Sequence, residues 1–247
     1  MAAVTPEEYV ATTMASIDGW FQPHDAVCFI LIDRIHRGNG IAGNLVEVGV
    51  WRGKSLGLLA TLRRPGERLY GFDLFTEDTT VDLARQALLK AAGDRDAATL
   101  LAADTQQMAP AAVLAAVERP VRFLHVDGGH RYEQALGDLR KFGALVGERG
   151  VIAVDDYYDR DFPGVAAATA DFTRETDFVP FLAGDIKLFL CRAPLAESYI
   201  GAFLGLAAFR DTSHVARFRD RPMLVSSSSK AEMYRASVEE FLARTRR

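Results

Sequence analysis

The strongest constraint on the fold lies in residues 44–55 (NLVEVGVWRGKS), where an apolar run meets two glycines. Residues 45–48 supply the short, mostly apolar run that is typical of a parallel strand buried on both faces. Gly49 and Gly53 interrupt this run, and residues 54–62 then have the composition of a helix. We therefore predict a strand, a glycine turn and a helix, which together form the opening unit of a doubly wound α/β sheet.

The glycine turn is a candidate ligand-binding loop. Gly49 and Gly53 lack a Cβ, so the backbone can bend sharply there and a ligand can come close to it. A helix that begins near Gly53 also presents N–H groups without intrahelical partners, and Glu47 places a carboxylate two residues before the turn. The spacing Glu-x-Gly-x-x-x-Gly-x-Ser differs from the G-x-G-x-x-G of dinucleotide-binding loops. A glycine turn without chemical consequence is the alternative interpretation.

Two further strands are predicted to end in acids. Residues 68–75 predict a strand with Asp73 at its end, about twenty residues after the glycine turn, where a carboxylate can accept hydrogen bonds from ribose hydroxyls. Residues 94–104 predict a short strand that ends at Asp104, and Asp104 and Thr105 would then lie near an adenine ring. Capping of the helix that begins near residue 110 is the alternative role for Asp104.

Residues 121–130 (VRFLHVDGGH) carry the clearest chemical signal. They predict a strand that ends at Asp127, followed by two glycines, His130 and an amphipathic helix over residues 131–145. A histidine titrates near neutral pH and suits general-base catalysis, so His130 is a candidate base. A single surface hydrogen bond at the start of the helix is the alternative. His125 lies inside the strand, and we expect a structural role for it.

Acidic side chains are expected to converge at one edge of the sheet. Residues 150–156 predict a further strand, which ends in two adjacent carboxylates. The ligand site of a doubly wound sheet lies at the carboxyl ends of its strands, so five acids should meet there: Asp73, Asp104, Asp127, Asp155 and Asp156. Like charges within about 4–6 Å raise each other's pKa, and a divalent cation keeps them ionised. Carboxylate oxygens suit Mg²⁺ or Ca²⁺ better than zinc.

The combination of these motifs resembles the sugar O-methyltransferases typified by the macrocin and mycinamicin enzymes of macrolide biosynthesis, which are class I S-adenosylmethionine (SAM) methyltransferases. The resemblance extends over about residues 44–192 and depends on residues 46–55 (VEVGVWRGKS), 71–75 (GFDLF), 125–132 (HVDGGHRY) and 150–157 (GVIAVDDY). It implies a Rossmann-like α/β fold, with a doubly wound, mostly parallel seven-stranded sheet, a C-terminal antiparallel hairpin, N-terminal helices and a helical C-terminal tail.

The resemblance also implies the reaction and its cofactors. The chain would transfer a methyl group from SAM to a hydroxyl of a sugar or glycoside, with Mg²⁺ or another hard divalent cation. Together with the strand positions above, the residues expected at SAM are Glu47, Gly49, Gly53, Ser55, Asp73, Asp104 and Thr105. Those implied for the cation are Asp127, Asp155 and Asp156. His130 or Asp127 would be the base. His130 departs from the family pattern and stands where catechol-type methyltransferases carry a lysine base.

Several alternatives stay open for the reaction. A phenolic or catechol-like acceptor would need an apolar slot, for which Trp51 and Phe75 are candidates. Tyrosines that could instead hydrogen-bond several sugar hydroxyls are Tyr132, Tyr157 and Tyr158. A hydroxylase with the same motif pattern is another alternative. An NAD-dependent dehydrogenase would share the fold, but the third glycine of its loop is missing. A SAM-binding scaffold protein without turnover is the non-enzymatic alternative.

Three segments are expected along the chain, at residues 1–43, 44–192 and 193–247. The first has a helical pattern over residues 5–38 and would be a packing helix or a lid. The second is the SAM-binding core, which ends in a predicted hairpin over residues 178–191. The third is expected to be a helical extension, with a helix over 199–209, a charged stretch over 210–221, a serine linker over 226–229 and a final helix over 231–244. This tail would be a lid or a subunit contact, and we expect a homodimer.

Composition narrows the class of partner. A chain of 247 residues with 49% hydrophobic residues can bury one sizeable α/β core. Its formal net charge of −4 offers no basic surface for nucleic acid. The chain has no apolar run of about 18 residues and no signal-peptide pattern, so we expect a soluble cytoplasmic protein that does not bind membranes. Cys28 and Cys191 lie among apolar neighbours without CxxC spacing, and we expect both to be core thiols.

Overall fold

The computed structural model describes residues 3–76 and 78–226. Its strands are β1 (Asn44–Val48), β2 (Leu69–Asp73), β3 (Thr99–Ala102), β4 (Val121–Val126), β5 (Val146–Val154), β6 (Phe178–Ala183), β7 (Leu188–Arg192), β8 (Ser213–Phe218) and β9 (Arg221–Ser226). Its α-helices are α1 (Pro6–Glu8), α2 (Pro23–Gly38), α3 (Lys54–Leu62), α4 (Asp78–Ala92), α5 (Pro110–Ala116), α6 (Tyr132–Gly143), α7 (Pro163–Glu175), α8 (Ala196–Leu204) and α9 (Ala207–Thr212).

The strands of the described residues form one nine-stranded sheet in the order β3-β2-β1-β4-β5-β7-β6-β9-β8. β1 pairs in parallel with β2 and β4, β2 pairs in parallel with β3, and β4 pairs in parallel with β5. β7 lies antiparallel between β5 and β6, so the predicted hairpin is confirmed. The Rossmann-like, mostly parallel, doubly wound sheet is likewise confirmed. The carboxyl ends of β1, β2, β4 and β5 therefore meet at one edge.

Helices cover both faces of the central strands, as the continuous apolar runs predict. On one face, Phe29 of α2 and Leu59 of α3 belong to one buried core. On the other face, Phe142 of α6 and Phe172 of α7 belong to a second core. β1 and β4 are buried along their whole length. Both faces of the central strands are therefore covered, and their carboxyl edge borders a cavity.

The N-terminal segment, for which a helical pattern is predicted over residues 5–38, is helical in two parts. Thr5 caps the first turn, and its hydroxyl accepts a hydrogen bond from the backbone N–H of Glu8 at 3.2 Å. The helical turns end at Ser16, and α2 begins only at Pro23. Gly19 between them adopts a φ of 139°, which is not helical. The predicted N-terminal helices are therefore confirmed, and the connection between them interrupts the helical pattern and reaches the carboxyl edge of the sheet.

The tail adds two strands to the seven that were expected. α8 and α9 agree with the predicted apolar helical stretch, but β8 and β9 form a hairpin, and β9 pairs in parallel with β6. Met223 and Leu224 are buried in this hairpin. The charged stretch predicted over residues 210–221 thus contains strand β8, and the apolar residues 223–225 after it form most of β9. Ser226 of the predicted linker ends β9, whereas residues 227–229 and the predicted final helix over residues 231–244 lie outside the described residues.

Two expectations from composition can be compared with the structure. Cys28 and Cys191 are both buried and both free, as expected of core thiols. Among the helices within residues 3–76 and 78–226, none has the length and apolarity needed to cross a lipid bilayer.

Candidate active site

A cavity of about 710 Å³ opens at the carboxyl edge of the sheet. This volume lies within the range of about 300–1,000 Å³ that small-molecule sites occupy. The sequence-predicted residues that line it are Gly49, Ser55, Asp73, Asp104, Thr105, Asp127, His130, Asp155 and Asp156. Glu47 and Gly53 do not line it, because Glu47 is buried inside the sheet and Gly53 packs against α4. The fold thus brings most of the predicted residues to one cavity.

Gly49 makes the close approach between β1 and β4 feasible. Its φ is 86°, in the left-handed region that favours glycine. A Cβ at this position would lie 1.8 Å from the carbonyl oxygen of Asp127. The backbone N–H of Gly49 donates to the carbonyl of Phe72 at 2.8 Å, so the turn also contacts the neighbouring strand β2. Only a residue without a side chain fits this junction.

The carboxylate of Asp73 holds the same turn in place. Its Oδ2 accepts hydrogen bonds from the backbone N–H groups of Val50 and Trp51, both at 2.8 Å. Its Oδ1 accepts from the backbone N–H of Phe75 at 3.0 Å. A carboxylate offers about four acceptor positions, so Asp73 retains capacity towards the cavity that it lines. The sequence pattern predicts the ligand role of this acid but not its role in shaping the turn.

Asp104 and Thr105 lie in the turn after β3, also on the cavity wall. Asp104 Oδ1 accepts a hydrogen bond from the backbone N–H of Gln106 at 2.9 Å. The residue that precedes α5 is Ala109, and no side chain caps this helix. The alternative capping role of Asp104 therefore does not occur. Lys141 of α6 donates to the backbone carbonyl of Thr105 and fixes the turn from the other side.

The acids and histidines beyond β4 and β5 form two overlapping groups. Potential ligand atoms of Asp127, His130 and Asp156 all lie within 4.8 Å of one another, and so do those of His125, Asp127 and Asp155. His130 Nε2 lies 3.0 Å from Asp156 Oδ2. The three aspartates predicted to hold the cation, Asp127, Asp155 and Asp156, are thus divided between two groups that share Asp127, and each group includes a histidine.

The local environment shifts the proton affinity of these groups in opposite directions. Desolvation, reinforced by the negative charge of Asp155, raises the pKa of Asp127 well above its ordinary value. Burial alone would also raise the pKa of Asp155, but the ammonium of Lys187 outweighs it and lowers that pKa to about 2. The hydrogen bond with Asp156 raises the pKa of His130. Of the two neighbouring carboxyls, Asp155 is therefore the stronger acid and Asp127 the weaker one.

A row of buried charged side chains lies beneath the acids. His125 Nδ1 is 2.7 Å from Glu47 Oε1, and His125 Nε2 is 3.2 Å from Lys187 Nζ. Lys187 also forms an ion pair with Asp155. An ammonium can only donate, so His125 accepts at Nε2 and donates from Nδ1 to Glu47. A structural role is what the sequence predicts for His125. The signals for the other two were a glutamate inside the otherwise apolar strand β1 and a lysine directly before the mostly apolar strand β7.

Two tryptophans stand at the mouth of the cavity. Trp20 and Trp51 have ring centroids 4.7 Å apart, and Trp20 remains 74% exposed. The connection that carries Trp20 is tied to α3, because Lys54 Nζ donates to the carbonyl oxygen of Gly19 at 2.9 Å. Arg52 forms an ion pair with Asp18 and reinforces this attachment. The N-terminal segment therefore supplies part of the cavity wall.

The aromatic residues singled out in the sequence are placed differently from one another. Trp51 lines the cavity, whereas Phe75 does not. None of the three tyrosines expected to face sugar hydroxyls lines it either: the hydroxyl of Tyr132 donates to Asp171 at 2.8 Å, and Tyr157 packs edge-on against Tyr158. The expectation of a tyrosine-rich rim is therefore wrong, because these side chains turn towards α7 and towards each other.

Comparison with known proteins shows what part of the chain resembles. A family model described as a methyltransferase domain matches residues 46–157, which run from the middle of β1 to just beyond β5 and include most of the cavity-lining acids. Among curated proteins, none matches the chain. The match spans less than half of the chain, so the chain is similar to a methyltransferase domain over these residues, and this similarity together with the Rossmann-like fold supports an enzyme.

Solved structures share this fold at low sequence identity. CalS11, described as a TDP-rhamnose 3'-O-methyltransferase of calicheamicin biosynthesis, is 19% identical with a TM-score of 0.52, over 77% of this chain and 87% of that chain. An O-methyltransferase from Bacillus cereus in complex with SAH is 15% identical with a TM-score of 0.58, over 75% of this chain and 89% of that chain. TomG from Streptomyces achromogenes, an O-methyltransferase of tomaymycin synthesis in complex with SAM, is 16% identical with a TM-score of 0.53, over 74% of this chain and 86% of that chain. At such identities the likeness establishes the fold alone.

Proposed function

We propose that the protein transfers the methyl group of SAM to a hydroxyl of a sugar or glycoside, with Mg²⁺ or another hard divalent cation as a second cofactor. One observation carries the proposal: Asp127, His130 and Asp156 come within 4.8 Å of one another at a cavity formed by a methyltransferase domain. Such a group combines oxygen ligands for a hard cation with a base for a hydroxyl proton. The resemblance to the macrocin-type family has the same implication.

The cavity suits SAM on the side of β1, β2 and β3. Gly49 keeps the backbone accessible, Asp73 lies at the end of β2 with acceptor capacity left for ribose hydroxyls, and Asp104 and Thr105 follow on the next strand. Ser55 lies at the start of α3 on the same wall. When bound, SAM supplies a methyl group activated by its sulfonium charge. The SAM and SAH complexes of TomG and of the Bacillus cereus enzyme are consistent with this use of the fold.

The residues on the side of β4 and β5 fit a hard divalent cation. Asp127 and Asp156 present carboxylate oxygens to the cavity, and Asp155 adds a third carboxylate whose Oδ2 is shared with Lys187. Oxygen ligands of this kind are those that Mg²⁺ and Ca²⁺ prefer. A bound cation would supply positive charge that lowers the pKa of an acceptor hydroxyl.

His130 is suited to take the hydroxyl proton. Its ring stacks on Phe162, with centroids 4.0 Å apart, and its Nε2 contacts Asp156. These two contacts fix the orientation of the ring, and the carboxylate stabilises the imidazolium that forms when the ring accepts a proton. The rest of the acceleration comes from positioning, since methyl transfer needs an in-line approach of oxygen to carbon. Asp127 is the alternative base, because its raised pKa leaves it able to exchange a proton.

A phenolic acceptor is the second candidate, and the tryptophan pair favours it. Trp20 and Trp51 present a large aromatic surface at the cavity mouth, on which a planar ring would stack. The sugar acceptor is supported by the described activity of CalS11 on TDP-rhamnose and by the acidic side chains of the cavity, which can accept hydrogen bonds from several hydroxyls.

The test is to incubate the protein with SAM, Mg²⁺ and a panel of sugars, glycosides and phenols and to determine product masses. Methylation adds CH₂ to the acceptor, whereas a hydroxylase would add oxygen. We expect turnover to stop after treatment with EDTA and to return with Mg²⁺. Asp156→Asn should lower the rate at least about 10²-fold, because it removes both a cation ligand and the partner of His130. The exposed Asp161 of the same loop is the matched control, and Asp161→Asn should retain activity.

SAM binding without methyl transfer to any acceptor would favour the scaffold alternative instead. Full activity after exhaustive EDTA treatment would remove the cation from the proposal and leave the acids as a substrate clamp. The homodimer built from the N-terminal helices or the tail, the three-segment division and the cytoplasmic location stay predictions.

A further inference from the structure

Lys187 is the one lysine among the described residues whose side chain is completely buried. It lies in the turn between β6 and β7, and its ammonium contacts Asp155 and His125 but not the cavity. A buried ammonium is costly unless it is paired and hydrogen-bonded. The structure meets this requirement with a carboxylate on one side and an imidazole nitrogen on the other.

The carboxylates around Lys187 outnumber their hydrogen-bond donors. Asp25 of α2 is fully buried, and neither of its carboxylate oxygens has a hydrogen-bond partner. It lies beside the turn that carries Lys187, because a Cβ on Gly184 would be 3.1 Å from Asp25 Oδ1 and the Gly184 N–H donates to the Lys187 carbonyl. Glu47 is also fully buried, and its Oε2 has no partner. The other fully buried cation of the described residues, Arg122, is occupied elsewhere by Asp33 and Glu67. Lys187 is therefore the positive charge available to this group of acids.

Contacts extend from Lys187 to the cavity through Asp155. While Asp155 Oδ2 pairs with the ammonium, its Oδ1 accepts a hydrogen bond from the backbone N–H of Asp156 at 2.9 Å. Asp156 has a φ of 55°, a left-handed conformation that a non-glycine residue keeps only when its surroundings hold it. Its Oδ2 contacts His130 Nε2 at 3.0 Å. A continuous row of contacts thus connects Glu47 on β1 with the candidate base.

We propose that Lys187 is a built-in cation of the active site, a positioning residue that holds Asp155 and offsets the buried carboxylates, so that the site keeps its shape without a divalent ion. Asp155 then mainly holds the backbone of Asp156 in place through its hydrogen bond. Asp127 and Asp156 are the principal ligands of a cation that enters from the cavity. The division of roles among these ligands depends on the proposed function, whereas the charge compensation by Lys187 does not.

The test measures stability without SAM or acceptor, so it does not depend on turnover. Lys187→Met keeps a side chain of similar length but removes the positive charge, whereas Lys187→Arg retains the positive charge. Removal of one partner of a buried ion pair should lower the Tm by about 6–20 °C in EDTA for a chain of this size. Mg²⁺ or Ca²⁺ should then raise the Tm of Lys187→Met more than that of wild type, because the ion replaces the lost charge next to Asp127 and Asp155. Lys187→Arg should recover most of the loss.

Two controls show whether a change in Tm comes from the lost charge of Lys187, from lost packing or from a failure to fold. Lys90→Met removes a partly exposed ammonium that contacts Ser16, and its Tm should respond to the cation as wild type does. The double variant Lys187→Met/Asp155→Asn should be more stable in EDTA than Lys187→Met alone and should lose the additional response to cation, because both the charge and its partner are gone.

Three outcomes would overturn the proposal. The first is a Tm of Lys187→Met within about 2 °C of wild type, which corresponds to less than 1 kcal/mol. The second applies where the wild-type Tm itself rises with Mg²⁺ or Ca²⁺, and is a destabilised Lys187→Met whose response is no larger than that of wild type, because the role would then be packing. The third is a double variant that is no more stable than Lys187→Met. Methyl transfer by wild type, measured separately, decides the proposed function independently of these results.

Discussion

Replacement of Gly49 by alanine, compared with the same replacement at a second glycine, distinguishes the conformational cost of a Cβ in the glycine turn from its steric cost. The matched control is Gly66, in the turn between α3 and β2. The two glycines have nearly the same φ, 86° at Gly49 and 83° at Gly66. A Cβ at Gly66 would have no heavy atom within 4 Å, whereas a Cβ at Gly49 would lie 1.8 Å from Asp127 O and 2.4 Å from Asp127 C. The two substitutions therefore share the conformational cost and differ in the steric one.

The expected magnitudes follow from this difference. A left-handed conformation costs an alanine about 1–2 kcal/mol, so Gly66→Ala should lower the Tm by roughly 2–8 °C. In Gly49→Ala the new Cβ must move about 1.6 Å to reach ordinary contact at 3.4 Å, and the atoms in its way are backbone atoms that cannot rotate aside. We expect an additional loss of about 4 kcal/mol or more, which is exceptional for a point mutation.

The assay combines thermal unfolding with calorimetric titration of SAH. Gly66→Ala should bind SAH as wild type does. Gly49→Ala should lose binding, because displacement of the Asp127 backbone opens the junction between β1 and β4 at the base of the cavity. An unfolding free energy of Gly49→Ala within about 1 kcal/mol of that of Gly66→Ala would refute the reasoning. The ends of β1 and β4 could then move apart without a loss of stability.

Two further predictions concern single side chains of the cavity. Asp73→Asn should weaken SAM binding about tenfold or more in calorimetry, because a hydrogen bond to a charged acceptor contributes about 1.5–3 kcal/mol; an unchanged affinity would remove Asp73 from the ribose site. His130→Gln should lower kcat about 10²–10⁴-fold with little effect on SAM affinity. The wild-type rate should fall as the pH drops through the pKa of His130, which the hydrogen bond with Asp156 raises above its ordinary value of 6.5. The same contact stabilises the folded protein below that ordinary value and ceases to do so as the pH rises through the raised one. A pH–rate profile without this acidic limb, or a His130→Gln enzyme within about threefold of wild type, would exclude histidine as the base.

The sequence alone determined the parallel core and the location of the site. Apolar runs that end in Asp73, Asp127 and Asp155 predict buried strands with acids at their carboxyl ends, because helices cover the faces of such strands and the ligand site forms beyond their ends. The glycine turn at Gly49 follows from the same local pattern. These features depend on residues close together in the chain, and local periodicity reports them.

The tertiary structure alone decided which charged groups are partners. Glu47, His125 and Lys187 are separated by 78 and 62 positions, and they meet because Glu47 and His125 face each other across β1 and β4 while β7 returns antiparallel beside β5. In the same way, Trp20 reaches the cavity mouth only because the N-terminal connection folds back over α3. Hydrophobic periodicity identifies the buried face of a segment, but the partner across that face depends on strand order and register, which arise from long-range packing.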